Sequence, residues 1–224
     1  MLRACRFQVA LDQGILKCIS TDTVRAVMRS FIPQQISPAL HRSSYAKVTE
    51  NDDPVRSWRE TCTVLEASVA GLVDDAHERG VSLVLEGVSI APSDTLIKRW
   101  EAGGGVACGC LLTVQNEETH KLLLTRRGFI SGDGQKEKDS KKLDNYNRVR
   151  LIQDEMIRLA QEAKWLLIEQ KIEPDPLEIV AKKLFNEEDC EIGFLKSSKP
   201  SHSHQNHSKT NGAVETAKRI NILS

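Results

Sequence analysis

Two acidic residues, Asp22 and Glu86, each close a short apolar run. The runs are Ile15-Leu16-Lys17-Cys18-Ile19-Ser20-Thr21-Asp22 and Val81-Ser82-Leu83-Val84-Leu85-Glu86, the second followed at once by Gly87. Runs of this length, rich in β-branched and large aliphatic residues, predict strands buried in a parallel sheet, whose ligands sit at the carboxyl ends of the strands. A carboxylate placed there can hold Mg²⁺ or take a proton from an attacking hydroxyl, which is the equipment of phosphoryl transfer. Arg25 stands one helical turn beyond Asp22 and is able to face the same crevice. Plainer roles stay open for each: Ser20, Thr21 and Asp22 are all good helix N-caps, and a single acid after a strand is common. Arg126 and Arg127 end a helix that follows the next strand, where they would either neutralise transferring phosphate charge or only complement the helix dipole.

A phosphate cradle of the form Gly-x-x-x-x-Gly-Lys-Ser/Thr occurs nowhere in the chain. Its backbone N–H groups and Lys are the main anchor of a nucleotide in such proteins. Gly103-Gly104-Gly105 with Gly109 imitates a dinucleotide fingerprint but precedes a strand instead of following one, so a turn is expected there. Cys108-Gly109-Cys110 has no second Cys or His pair at zinc spacing and reads as core packing. His202, His204 and His207 sit in a polar tail, where any hold on a metal would be weak.

The elements that must position these groups follow from the rest of the pattern. Val24, Val27, Met28 and Phe31 recur at helical spacing after Asp22, giving a strand, acidic turn and helix. From Ile32 to Asp53, Pro and Ser residues predict a long loop broken by short turns. Val64, Leu65, Ala67, Ser68, Leu72, Val73 and Ala76 predict a helix over 55–79 stopped by Gly80. A helix through Thr95–Trp100, a strand over Val106–Val114, a helix over Glu117–Arg127 with Leu122, Leu123 and Leu124 inward, and a helix from Tyr146 to about Ala163 follow in order. Leu166-Leu167-Ile168 reads as a last strand, and Pro174 and Pro176 precede a helix over Leu177–Phe185.

In its 224 residues Lys plus Arg and Asp plus Glu each total 31, a formal net charge of +0. Balanced charge gives no electrostatic case for nucleic acid or an anionic membrane surface. The scattered cysteines lie largely in apolar runs, where a reduced Cys behaves as a small hydrophobe, so a reducing, cytoplasmic compartment is expected. No apolar stretch approaches the roughly 18 residues of a membrane span. Arg3 and Arg6 lack the Ser-rich company of an organellar transit peptide.

One stretch carries a specific resemblance. Ile19-Ser20-Thr21-Asp22-Thr23-Val24-Arg25-Ala26-Val27-Met28-Arg29 resembles the second strand and following helix of the 2-phosphoglycerate kinase-like P-loop proteins, including their plant branch linked to seed phytic acid. Ser43-Ser44-Tyr45 resembles the family's Ser-Ser-Tyr, Leu85-Glu86-Gly87-Val88 its Glu-Gly-Val strand end, and Arg150-Leu151-Ile152-Gln153 its late Arg-x-Ile-Gln helix, all in the family's order. The family carries a Walker A loop upstream of the Ser-Thr-Asp strand, whereas here Met1 to Gly14 precede it. Ser89 stands where the family shows His, and Leu166 to Gln170 replaces its Asn-rich strand.

The resemblance implies a three-layer α/β domain with the parallel sheet of P-loop kinases over 1–130, its central first strand and phosphate loop missing. A polar linker over 131–144, a helical extension over 145–195 and a disordered tail over 196–224 complete the expected plan. It implies ATP and Mg²⁺ as co-substrate and cation and a small phosphorylated or polyol acceptor, with activity weak or lost for want of the loop. Asp22 and Glu86 would be catalytic and metal-binding, and Arg126 and Arg127 a catalytic lid. Arg25, Ser43, Ser44, Tyr45 and Ser89 would contact the acceptor. The rival readings are a non-catalytic binding or regulatory protein with protein partners or self-association, and a shortened gene product of an active kinase. A sheet lacking its central strand would be marginal or prone to associate.

Overall fold

The computed structural model describes residues 14–42, 52–130, 146–169, 178–184 and 219–223. The elements run β1 (Lys17–Ser20), α1 (Thr21–Phe31), α2 (Pro38–His41), α3 (Pro54–Glu78), β2 (Leu83–Glu86), α4 (Thr95–Glu101), β3 (Val106–Thr113), α5 (Glu117–Ile130), α6 (Tyr146–Glu162) and β4 (Leu166–Glu169). A helix over 178–184, α7, follows, and then β5 (Arg219–Leu223). The strands form one sheet in the order β1-β2-β5-β3-β4, with every pair parallel. The architecture is the expected α/β type, a parallel sheet between helices.

β5 departs from the expected plan. Arg219–Leu223, within the segment 196–224 read as a disordered tail, forms the central strand in the slot expected to stand open, and residues 196–218 and 224 lie outside the described residues. β5 pairs with β2 from Leu83↔Ile220 to Glu86↔Leu223 and with β3 from Val106↔Arg219 to Cys110↔Leu223. The edges of β2 and β3 that would otherwise be unpaired are thereby satisfied, so the reason for expecting a marginal chain falls away.

Alternation along the strands builds a core on each face. Leu83 and Leu85 join Trp58, Leu65, Val73, Trp100, Leu111, Ile152 and Met156 beneath α3, α4 and α6. Val84 faces the other way, with Cys108, Cys110, Ile168 and the α7 residues Val180 and Leu184. Cys108 and Cys110 are buried with their sulfurs 3.5 Å apart, and so take the packing role read from their alternation. Gly109 lies between them on the opposite face, where a Cβ would come 2.4 Å from the Trp165 ring.

Capping sets the helix starts. Asp53 Oδ1 accepts from Val55 N (2.9 Å) and Arg56 N (3.3 Å), with Pro54 in the first turn, and α3 then runs 25 residues. Its buried stripe is Trp58, Thr61, Cys62, Leu65, Val69, Val73 and Ala76, so the face is rotated from the expected one and Ala67 is exposed. In α1 the expected apolar stripe is split: Val24 and Met28 pack against the core, whereas Val27 is 55% and Phe31 81% exposed, and Thr21 and Arg25 are buried. Leu122 of α5, expected inward, is also exposed. Among the described residues no helix is long and apolar enough to cross a membrane.

Candidate functional site

One level runs across all five strands, at the carboxyl ends of β1, β2 and β5, within β3 and at the start of β4. Ser20 pairs with Glu86, Glu86 with Leu223, Leu223 with Cys110 and Cys110 with Leu166. Beyond that level β1 turns into α1 and β2 into the Gly87 loop, whereas β3 and β4 continue to the pair Thr113↔Glu169. Among the described residues the carboxyl edge is therefore stepped, with a notch beside Leu223 between Glu86 on one side and Leu111, Leu112 and Thr113 of β3 on the other. Such an edge, at the strand ends of an open parallel sheet, is where ligands of this architecture bind.

The β1 side of the notch is built by a tight strand-to-helix turn. Ser20 is the N-cap of α1, its Oγ accepting from Asp22 N at 3.2 Å. The cap is thus taken by Ser20, and the Asp22 carboxylate stands exposed in the first turn. Thr21 is fully buried, and its Oγ1 has no hydrogen-bond partner among the described residues. Gly87 packs directly on it: a Cβ built on Gly87, whose φ is +135°, would lie 1.9 Å from Thr21 Oγ1. Neither the buried hydroxyl nor this contact was anticipated; the signal available was a Thr at the junction of an apolar run and a helix start.

On the β2 side, Glu86 is half-buried as the last residue of its strand. The loop beyond it is pinned by Trp58, whose Nε1 donates to Val88 O at 2.7 Å. Ser89 follows, 2% exposed, its Oγ also unpartnered among the described residues. A buried hydroxyl left without a partner costs free energy, on the order of 1–3 kcal/mol. Two of them beside the ends of adjoining strands are suited to a ligand bearing hydroxyl or phosphoryl oxygens.

Arg25 does not take the place expected of it. It is 6% exposed, and its guanidinium turns toward the segment after α1, donating from Nε to Leu40 O (2.8 Å), from Nη2 to Ala39 O (3.3 Å) and to Arg42 O. Burial, foremost, and then Arg29 pull its pKa down, and Asp22 opposes the shift. Arg25 is a brace between α1 and the chain around α2. The helical spacing that suggested a shared crevice with Asp22 holds, but the turn of chain at 39–42, not visible in the sequence, captures the side chain.

The other expected site residues are placed less fully. Arg126 and Arg127 lie within α5, after β3, in the expected order, and their side chains lie outside the described residues, as do Ser43, Ser44 and Tyr45. The linker over 131–144 and the histidines at 202, 204 and 207 lie outside them too. Mg²⁺ is held in phosphoryl-transfer sites by one or two carboxylates together with water and substrate phosphate. Asp22, in the first turn after β1, and Glu86, at the end of the adjoining β2, are residue types that meet that sparse requirement, and no group of three or more His, Cys, Asp or Glu that could hold a metal occurs among the described residues. A groove of about 820 Å³ between α2 and the start of α3, lined among others by Pro38, Arg42, Arg56 and Arg59, contains none of these residues. Its arginines pair with Glu60 and Glu155, so it offers weaker chemistry than the sheet edge.

Among proteins of recorded function, the chain is 29% identical over 160 residues to a 2-phosphoglycerate kinase of Methanocaldococcus jannaschii, covering 69% of this chain and 50% of that one. It is 30% identical over 126 residues to that of Methanothermobacter thermautotrophicus, covering 51% and 40%, and 28% identical over 156 residues to that of Methanopyrus kandleri, covering 66% and 46%. The chain thus spans about half the length, or less, of the curated relatives it matches. No family model matches it, and no solved structure does. Over those spans the chain is similar to proteins of that name.

Proposed function

We propose that this chain carries the acceptor side of a phosphotransferase that moves the γ-phosphoryl group of ATP to a hydroxyl of a small phosphorylated or polyol acceptor, of the 2-phosphoglycerate class. The observation that carries this reading is the register Ser20↔Glu86, which sets the Asp22 turn and the Glu86 strand end side by side at one edge of a parallel sheet. Neighbouring strands are about 4.8 Å apart, close enough for two carboxylates to act on one ligand.

In the reaction proposed, the acceptor oxygen forms a bond to the γ-phosphorus while the bond from that phosphorus to the β,γ-bridging oxygen breaks. ADP leaves with the bonding electrons, and the acceptor proton passes to the Glu86 or Asp22 carboxylate. When bound at these carboxylates, Mg²⁺ would offset phosphate charge. Thr21 and Ser89 would hydrogen-bond the acceptor, Ser43, Ser44 and Tyr45 would contribute to binding it, and Arg126 or Arg127 would serve as the lid. The link to phytic acid metabolism in the plant branch makes inositol phosphates natural members of the acceptor panel.

The test is transfer of labelled phosphate from millimolar MgATP to 2-phosphoglycerate and to a panel of polyols and inositol phosphates. The native chain should phosphorylate at least one, and Glu86→Gln should lower the rate about a hundredfold or more with the fold intact. Equal rates for the two proteins, or none for the native chain, would overturn the reading.

A further inference from the structure

Arg150 and Gln153, which the resemblance marks without giving them a job, grip the end of β3. Among the described residues β5 accompanies β3 as far as the pair Cys110↔Leu223, and Leu111, Leu112 and Thr113 are laddered on one side, by β4. A strand end held on one side is expected to open readily. Immediately beyond it, Val114 N donates to Gln153 Oε1 at 3.2 Å, and Gln153 Nε2 donates back to Val114 O at 3.2 Å. The side-chain amide thus pairs with the main chain as a neighbouring peptide would. Arg150 Nη1 donates to the same carbonyl at 2.7 Å.

The helix that carries both groups is firmly seated. Ile152, Met156 and Ala160 of α6 are buried in the main core. Arg148 pairs with Asp52 at 2.8 Å, both side chains 11% exposed. The same helix steadies the start of α5. The His120 ring meets the Tyr146 ring edge-on at 5.6 Å, Lys121 Nζ lies 4.9 Å above Tyr146, and Asn116 Oδ1 accepts from Thr119 N at 2.8 Å to cap the first turn. One helix therefore sets both the β3 wall of the notch and the base of the helix bearing Arg126 and Arg127.

We propose that Arg150 and Gln153 are positioning residues that hold the β3 exit, the wall of the notch facing Glu86, in the geometry phosphoryl transfer requires. The catalytic part of this rests on the phosphotransferase reading; the structural part does not. Gln153 serves as a surrogate strand where the sheet runs out, and Arg150 doubles the grip on one carbonyl.

Amide exchange followed by NMR on the full chain separates the two parts. In Gln153→Leu, exchange at Val114 should quicken by about tenfold or more, the effect of losing one net hydrogen bond, while exchange at Leu85 of β2 stays unchanged. Arg150→Lys, which keeps a donor and the charge, should show a smaller quickening and serves should the first variant fold poorly. On the acceptor identified above, kcat should fall about tenfold in Gln153→Leu with KM for MgATP unchanged. Unaltered exchange at Val114 in both variants would overturn the grip itself. Quickened exchange with unaltered kcat would overturn its part in catalysis. If the native chain transfers no phosphate, the phosphotransferase reading and the catalytic part fall together, and the exchange result alone decides the grip.

Discussion

Gly87 and Thr21 touch across the ends of β2 and β1, and the contact leaves no room for a side chain on Gly87: a Cβ there would lie 1.9 Å from Thr21 Oγ1 and 3.1 Å from its Cβ. Gly87→Ala adds that clash to the strain of a φ of +135°. Urea unfolding should show a loss of about 2–4 kcal/mol. Thr21→Ala should recover only part of it in the double variant, because the Thr21 Cβ contact persists.

Arg25 and Asp22, three residues apart, should separate stability from activity. Arg25→Ala strands backbone carbonyls of Ala39, Leu40 and Arg42 and should cost about 2–4 kcal/mol. Asp22→Asn, at an exposed position whose capping role belongs to Ser20, should shift stability by no more than about 0.5 kcal/mol while reducing any phosphoryl transfer. Chemical denaturation and the transfer assay, run on both variants, check the pair.

Glu155 on α6 sets an acid limit. The Arg158 guanidinium, and after it Arg59 from α3, hold its carboxyl down at about 2 against an ordinary 4.5. A depressed carboxyl contributes stability that is full above its unfolded value and is lost as pH falls through the folded one. Stability should therefore decline between about pH 4.5 and 2, by roughly 1–2 kcal/mol from this group after solvent screening. Glu155→Gln should flatten that part of a stability profile measured by thermal melts across the range.

Nucleotide affinity should be low in a polypeptide of this sequence, which holds no Gly-x-x-x-x-Gly-Lys-Ser/Thr loop. Titration calorimetry should place the MgATP dissociation constant between about 0.1 and 1 mM or weaker, several kcal/mol short of low-nanomolar binding. Binding in the low micromolar range would show that other residues cradle the phosphates.

Cooperative unfolding should depend on β5. Ile222→Pro removes a donor from the middle strand of the sheet, a position where Pro is not accommodated. The variant should lose the sharp melt of the native chain and gain a tendency to associate, read by calorimetry and light scattering.

Much of the frame was legible because local pattern dictated it. The run read as ending at Asp22 is a strand only over Lys17–Ser20, with Asp22 already in α1, while the run ending at Glu86, the strand at 106–113 and the α6 helix stand within a residue or two of where the pattern put them. β5 was hidden because Ile220 and Ile222 alternate over five residues only, too short a signal inside a Ser, His, Asn and Lys-rich segment, and its partners are distant in sequence. At the site, the acids at the strand ends were readable as types at positions. The turn that captures Arg25 and the grip of Gln153 on Val114 were not, since both depend on where a remote segment comes to lie.

β2 and β3 follow one another in sequence, yet the ladder between them is supplied by Arg219–Leu223, which enters the sheet from a distant part of the chain. Pairings between segments so far apart are slow to find, because the loop between them must be closed before any contact rewards it. Until β5 docks, the facing edges of β2 and β3 are open to any extended segment of another chain. A chain without Arg219–Leu223 would keep its two strand pairs, β1 with β2 and β3 with β4, but lose the ladder between them and rely on helix packing across the gap.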